Sequence, residues 1–308
     1  MRVAEVSRLP ALERLVYWIK ERHAVFLRKG AGKPKPWTDD EIIQSTYFTN
    51  PYRENDKVTR WVKKNISDNP AFQWAHGPQV VWFAVLAFRW FNYIPTGELL
   101  LGQDGSYNWR NLLLEWDTKE AVRRLRNERD CGRQVFTGAF NISNGGSRKS
   151  KVLRVCEDYI QPAWDNRFEY GKAWDDSVTL EGVHASLSVL PGMGGSGFMA
   201  AQVIADLKHT PFLRQASDWW TWSSPGPGSL RGMQILLDEQ GKGVRATKRN
   251  WQALMDGLRP KVNASLTRGK PSMPQLCAQD LQNCLCEYSK YERCRNGDGR
   301  SKRTYQGV

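Results

Sequence analysis

Residues Val183–Leu207 read VHASLSVLPGMGGSGFMAAQVIADL. An apolar helical pattern runs to Leu190, and Pro191-Gly192-Met193-Gly194 then makes a sharp turn. The stretch after it, Phe198–Leu207, carries small residues at Ala200 and Ala201 that let it pack back on the first. The pattern predicts two short helices, Leu180–Leu190 and Phe198–Leu207, joined by a glycine-rich hairpin. Glycines at 192 and 194 let backbone approach an anionic oxygen closely, and the free N–H groups at the second helix start are suited to bind it. A plain helical corner with glycine at its turn would show the same pattern.

Outward from the hairpin the chain keeps a helical period. Leu9–Leu27 places Leu12, Leu15, Val16, Ile19 and Val25 on one face, and the basic, proline-containing stretch Arg28–Lys35 breaks it. Thr38 before Asp39-Asp40-Glu41 signals a helix start. Tyr52–Asn65 reads as a helix with Arg53, Asp56 and Arg60 on one face. Gln79–Phe91 is apolar enough to be a central core helix, and Thr118–Arg129 is a charged one. Arg133–Ser143 fits a strand or a buried helix start equally. Ser147–Trp164 reads as a helix with a basic start, Trp219–Gly232 as an aromatic, glycine-rich loop, and Gly241–Leu258 and Leu276–Arg293 as late helices. The expected fold class is mainly α. The expected organisation is one domain, 1–308, or two lobes at about 1–130 and 131–295, with a loose basic tail at 296–308.

Composition limits the function. The chain has 308 residues, 40% hydrophobic and 25% charged, which excludes a largely disordered protein. Lys and Arg number 45 against 32 Asp and Glu, a net charge of +13 that favours a polyanionic partner. Tryptophan is abundant, 14 residues, and serves both cores and base stacking. The longest apolar stretch, Val80–Phe88, falls short of the roughly 20 residues of a membrane span, so no membrane partner is expected. The N-terminal MRVAEVSRLPALERL lacks the apolar core of a secretory signal, so the expected setting is cytoplasmic with reduced thiols.

Several chemistries find no motif. Gly30-Ala31-Gly32-Lys33 is followed by proline and lacks the spacing of a phosphate loop. The four histidines, 23, 76, 184 and 209, show no metal-ligand spacing, and no G-x-S-x-G occurs. Cys277, Cys284, Cys286 and Cys294 read C-x6-C-x-C-x7-C, which loosely resembles the iron–sulfur loop of some DNA glycosylases, but the last two gaps are wrong. Buried helix cysteines are the expectation, and neither an iron–sulfur cluster nor another metal is expected.

Leu190–Gly194 (LPGMG) resembles the hairpin of the helix-hairpin-helix DNA glycosylases, which implies a glycosylase-like fold. Asp218, 24 residues after Gly194, then stands near the place of that family's catalytic aspartate. Gly195–Gly197 looks like a short insertion, and the place of a Schiff-base lysine falls near Ser196, so lyase chemistry is not expected. A resemblance over most of the chain is carried by Tyr47–Trp61 (YFTNPYRENDKVTRW), Phe136–Ser143 (FTGAFNIS), the hairpin, Gly226–Gly232 (GPGSLRG) and Leu285–Arg293 (LCEYSKYER). These look like a phage-associated thymidine-hypermodification family. It comprises alpha-glutamyl/putrescinyl thymine pyrophosphorylases, amino-acid:DNA transferases and the helical domain of hydroxymethyluracil DNA kinases.

That resemblance implies an enzyme acting on 5-hydroxymethyluracil in the DNA of a phage-infected cell. The base would be flipped out of the duplex, and a free amino acid or amine would displace pyrophosphate from its activated methylene. Phosphorylation of the hydroxymethyl group, base excision, and a non-catalytic DNA-binding scaffold are the alternatives. Arg53, Arg60 and Arg231 are candidates to hold the leaving group, with Gly226, Gly228 and Ser229 as an anion loop. An ion-pair row and a plain turn are the competing readings. Asp218, then Asp206 and Glu287, are candidates to accept the amine's proton, each with a cap or ion pair as its structural alternative. Trp219, Trp220 and Trp222 are suited to stack on the flipped base, and Gly192, Gly194, Lys149 and Lys151 to contact DNA phosphates. Mg2+ would enter only with a diphosphate, and other hypermodification enzymes are expected partners.

Overall fold

The computed structural model describes residues 1–72, 77–103, 110–139, 142, 146–172, 178–195, 197–241, 243–268 and 272–298. The longer helices are α1 (Ala11–Gly30), α2 (Lys57–Val62), α3 (Pro78–Phe91), α4 (Ile94–Leu101) and α5 (Thr118–Asp130). There follow α6 (Lys151–Leu153, a π-helical Arg154–Ile160, then Gln161–Asp165), α7 (Leu180–Ser188) and α8 (Phe198–Leu207). Last come α9 (Pro227–Glu239), α10 (Trp251–Thr267) and α11 (Ala278–Arg295). No strand occurs among the described residues, as the helical periodicity predicts. None of their helices is long and apolar enough to cross a membrane.

Contacts divide the chain into two units, Met1–Asp56 with Trp220–Val308, and Lys57–Trp219. The lobe boundary expected near 130 falls within α5, inside the second unit. The tail from 299 onward lies outside the described residues.

The first unit packs α1, α9, α10 and α11 around one core, with Trp18, Trp251, Tyr288 and Tyr291 buried. Arg14 of α1 meets both oxygens of Glu292 on α11, at 3.3 and 3.2 Å. Helices α9 and α11 approach at backbone distance. A Cβ at Gly232 would overlap the Leu285 carbonyl, and one at Gly228 would overlap the Cys286 sulfur. Four residues apart, these glycines lie on one face of α9 and let the two helices touch.

The second unit is built on α3, buried on every side from Val80 to Phe91. Pro78 starts it and Asn92, in the left-handed region at φ 48°, ends it. Helix α8 packs on α3, and α7 on α8, so the expected hairpin helices form.

Four expected elements differ. Tyr52–Asn65 is interrupted: Arg53–Asn55 is a single 3₁₀ turn, and Asp56 is extended at ψ 139° before α2 begins. The cause is local, because Asp56 accepts bonds from both the backbone and side-chain nitrogens of Asn50, at 2.9 and 3.0 Å. Arg53, Asp56 and Arg60 therefore share no helix face. Gly226–Gly232 is the start of α9 and not loop, with Gly226 as cap, Pro227 first, and Ser229 Oγ accepting from the Gly226 N–H at 2.9 Å. Helix α10 starts at Trp251, after a turn in which Thr247 donates to Asn250 Oδ1. Arg133–Ser143, where described, is neither strand nor helix. Its backbone is held by Thr96 Oγ1 on the Val135 carbonyl (2.8 Å) and by the Phe91 carbonyl, which accepts from Thr137 N (2.8 Å).

Candidate functional site

Three of the quoted stretches are distant in sequence, yet their parts in the first unit meet on α11. Residues 47–56 form an irregular strap, and irregular backbone needs partners for its polar groups. Helix α11 supplies them from one polar stripe. Asp280 Oδ1 accepts from Arg53 N (3.1 Å), and Asn283 Nδ2 donates to the Asn50 carbonyl (3.1 Å). Glu287 Oε2 accepts from Thr49 N (3.1 Å), and Lys290 Nζ donates to the Tyr47 carbonyl (2.9 Å). Asp280, Asn283 and Lys290 were missed by sequence reasoning. Their spacing of three, four and three with Glu287, polar residues on an otherwise buried helix, is the signal that marks them.

Cys286 packs against Gly228 of α9. Burial pushes its thiol pKa up, as does Glu287, while Lys290, Arg231 and Arg53 pull the other way. Arg53 is tied to α11 through its backbone, Lys290 belongs to α11, and Arg231 belongs to α9, which packs against it. Burial also raises the Asp56 carboxyl, against the opposing pull of Arg53. Of the leaving-group candidates, Arg53 and Arg231 both belong to the first unit, whereas Arg60 is exposed on α2 of the other unit. Gly226 and Ser229 form the helix cap, and Gly228 is filled against Cys286. Glu287 also pairs with Lys290 at 2.7 Å. Trp222 is buried in the same unit, and Trp220 is 49% exposed with its carbonyl on Ala278 N.

The remaining candidates lie in the second unit. Asp218 caps α7: Oδ1 accepts from Leu180 N at 2.7 Å and Oδ2 from Glu181 N at 2.9 Å. Asp206 is fully buried and bonded through both oxygens to Arg89, which also donates to Asn92 Oδ1. Trp219 donates to the Lys208 carbonyl, lies under the Lys208 ammonium at 4.5 Å, and meets His209 edge-on.

At the hairpin, Gly192 has φ +77°, and a Cβ there would come within 2.8 Å of Trp90 and 2.9 Å of Tyr159. Its conformation and its close packing both require glycine. Gly194 is exposed beside the Ser188 carbonyl. Ser196 lies outside the described residues, as do Phe140, Asn141 and Ser143 of the Phe136–Ser143 stretch. Lys149 pairs with Glu157 (3.0 Å) and Asp158 (2.7 Å), and Lys151 sits 4.4 Å over the Phe136 ring. Burial, then Arg129, lower the Lys151 pKa.

No disulfide joins any of the six cysteines. Cys277 caps α11 and Cys284 is buried within it, in keeping with helix cysteines. Among the described residues no group of three or more His, Cys, Asp or Glu is placed to hold a metal ion.

The family model for the helical domain of 5-hmdU DNA kinase matches residues 9–301. A 5-hmdU DNA kinase of Bacillus phage SP10 is 23% identical over 240 residues, covering 72% of this chain and 35% of that protein. The chain thus spans about a third of the length of the relative it matches. No solved structure matches it. With nearly its whole length matched, the chain belongs to the family of the 5-hmdU DNA kinase helical domain.

Proposed function

We propose that this chain acts on 5-hydroxymethyluracil in DNA and serves the phosphorylation of its hydroxymethyl group. The observation that carries this reading is the family match over residues 9–301, joined to the similarity with a phage 5-hmdU DNA kinase. Phosphorylation forms a bond from the hydroxymethyl oxygen to the γ-phosphorus of ATP, breaks the bond to the β-phosphate oxygen, and releases ADP and a proton. The base must leave the stack, and the transferred group needs cations beside it. Arg53, tied to α11 through its backbone, and Arg231, on the helix packed against α11, are the cations we assign to this need. Gly30–Lys33 ends α1 and turns into the following linker, so we assign it no nucleotide-binding role.

We read the hairpin between α7 and α8, by its likeness to helix-hairpin-helix glycosylases, as one of the DNA contacts. The turn glycines at positive φ, 192, 195 and 197, and the start of α8 support it. The net charge of +13 supports a DNA partner as well.

A second reading is the transfer of an amino acid or amine to an activated hydroxymethyluracil with release of pyrophosphate. Arg53 and Arg231 favour it too, since a diphosphate leaving group needs cations equally. Nucleoside mass spectrometry separates the two. The full chain is incubated with hydroxymethyluracil DNA, Mg2+ and ATP, and separately with pre-activated DNA and a mixed amine pool. A phosphate adduct that requires ATP establishes phosphorylation. An amine adduct on activated DNA alone replaces it with the second reading, and no mass change in either arm defeats both.

A further inference from the structure

The second unit contains a cavity of about 400 Å³, within the range of small-ligand sites, that none of the candidate site residues lines. Its walls come from four segments: Gln79 at the start of α3, Glu115 before α5, Trp164 at the end of α6, and Arg167 with Phe168 just beyond. The Arg167 guanidinium lies between two rings, 3.7 Å from the Trp164 centroid and 4.3 Å from that of Phe168. Its Nη1 donates to the Trp164 carbonyl at 2.7 Å, and it makes no ion pair with a described residue. Trp164 is braced from behind by Phe83, at 4.8 Å between centroids. Phe168 is 53% exposed. Gln79 and Glu115 make no side-chain hydrogen bond or ion pair with another described residue.

Aromatic surface and a planar cation that makes no ion pair with a described residue, together at one cavity, call for a flat ligand rich in carbonyl oxygens. The edge groups narrow the class. Arg167 and the Gln79 amide nitrogen donate, while Glu115 and the Gln79 amide oxygen accept. A uracil ring presents the matching sequence of carbonyl, N3–H and carbonyl, and a 5-hydroxymethyl substituent adds one more O–H for an acceptor. Cytosine carries an unprotonated N3, which a carboxylate repels. We infer that this cavity is the pocket for a uracil-type base turned out of the DNA stack, with the solvent-exposed Phe168 stacking on it and Gln79, Glu115 and Arg167 reading its edge. The inference rests on the substrate class proposed above and gives it a location.

Free nucleosides test the pocket without DNA. The full chain is titrated with 5-hydroxymethyl-2′-deoxyuridine, thymidine and 5-hydroxymethyl-2′-deoxycytidine, followed by saturation-transfer NMR, with circular dichroism as the check on folding. The wild type is expected to prefer the uracil-type nucleosides. Phe168→Ala, at an exposed position, is expected to weaken their binding about 10-fold, the scale of one lost stacking contact. Glu115→Gln is expected to narrow the discrimination against the cytosine nucleoside. Three results overturn the pocket: no binding at millimolar nucleoside, equal binding of both classes by the wild type, or unchanged affinities in both folded variants. Retained nucleoside preference in a protein that leaves hydroxymethyluracil DNA chemically unchanged would defeat the phosphorylation reading while leaving the pocket standing.

Discussion

Arg89 holds both carboxylate oxygens of Asp206, with Nε–Oδ2 and Nη2–Oδ1 each 2.6 Å, in the core of the second unit. Asp206 is fully buried and Arg89 nearly so. The pair joins α8 to α3, and its guanidinium also reaches Asn92 and Thr59. A carboxylate so enclosed is committed to packing. Asp206→Asn is expected to lower stability by about 3–5 kcal/mol, because it strands a buried guanidinium. The double change Arg89→Met with Asp206→Leu is expected to recover most of that loss. Urea unfolding of the three proteins measures it, and a stable Asp206→Asn protein without turnover would instead make Asp206 a reacting group.

Asp218 gives a sharper contrast between cap and catalyst. Its two oxygens take the amides of Leu180 and Glu181, which have no partner within α7 itself. Asp218→Ala is expected to cost about 1–2 kcal/mol, the scale of a lost helix cap. Modification of the base should then fall only as far as the folded fraction falls. A general base would instead show a loss of about 100-fold or more in a fully folded protein. Thermal unfolding beside a single-turnover assay distinguishes the two.

Gly232→Ala tests the contact between α9 and α11. The added methyl meets the Leu285 carbonyl, a backbone atom that cannot rotate away. Such overpacking is expected to cost about 1–3 kcal/mol. At Gly226 the nearest atom to an added methyl is Gln282 Nε2, at 3.8 Å, so Gly226→Ala is expected to cost much less. Equal denaturation midpoints for the two variants would mean that α9 is not seated on the backbone of α11.

The contrast between those glycines shows what a single sequence can carry. Helix α3 was legible because Val80–Phe88 is unbroken apolar sequence, and the helices on either side of the hairpin because Pro191-Gly192 separates two periodic stretches. The roles of Gly228 and Gly232 depend on Cys286 and Leu285, which lie more than fifty residues further along, so GPGSLRG reads locally as a loop. The break at Asp56 depends on a side chain bonding Asn50 in preference to continuing a helix. Arg53 and Arg231 were chosen for their charge, and that the elements carrying both of them pack on α11 is something no spacing revealed. The cavity of Gln79, Glu115, Trp164 and Arg167 draws on segments far apart, none with a motif of its own.

Acid stability has a defined source at the start of α5. Glu120 takes two bonds from Arg123, each 2.7 Å, and one from the buried Arg124 at 2.8 Å. These bonds, led by Arg123, hold its carboxyl down at about 2 in place of the ordinary 4.5. A depressed folded-state pKa stabilises above the unfolded value and loses that contribution as pH falls toward the folded value. The melting-temperature difference between wild type and Glu120→Gln is therefore expected to be full at neutral pH. It should shrink from pH 4.5 downward and vanish near 2. A difference independent of pH over that window would assign the effect to packing of Arg124.

Lys149 was a natural choice for a phosphate contact, at the basic start of α6. In the structure its ammonium is shared by Glu157 and Asp158, and both raise its pKa. A lysine held by two carboxylates releases few counterions when DNA arrives, since its charge is already neutralised. Each true phosphate contact contributes about 0.9 to the slope of log affinity against log salt concentration. Lys149→Ala is expected to leave that slope nearly unchanged in fluorescence anisotropy titrations on a fixed duplex across a salt series. A fall of about one contact in the variant would show that Lys149 abandons its carboxylates for the DNA backbone. The start of α6 would then belong to the DNA-binding surface.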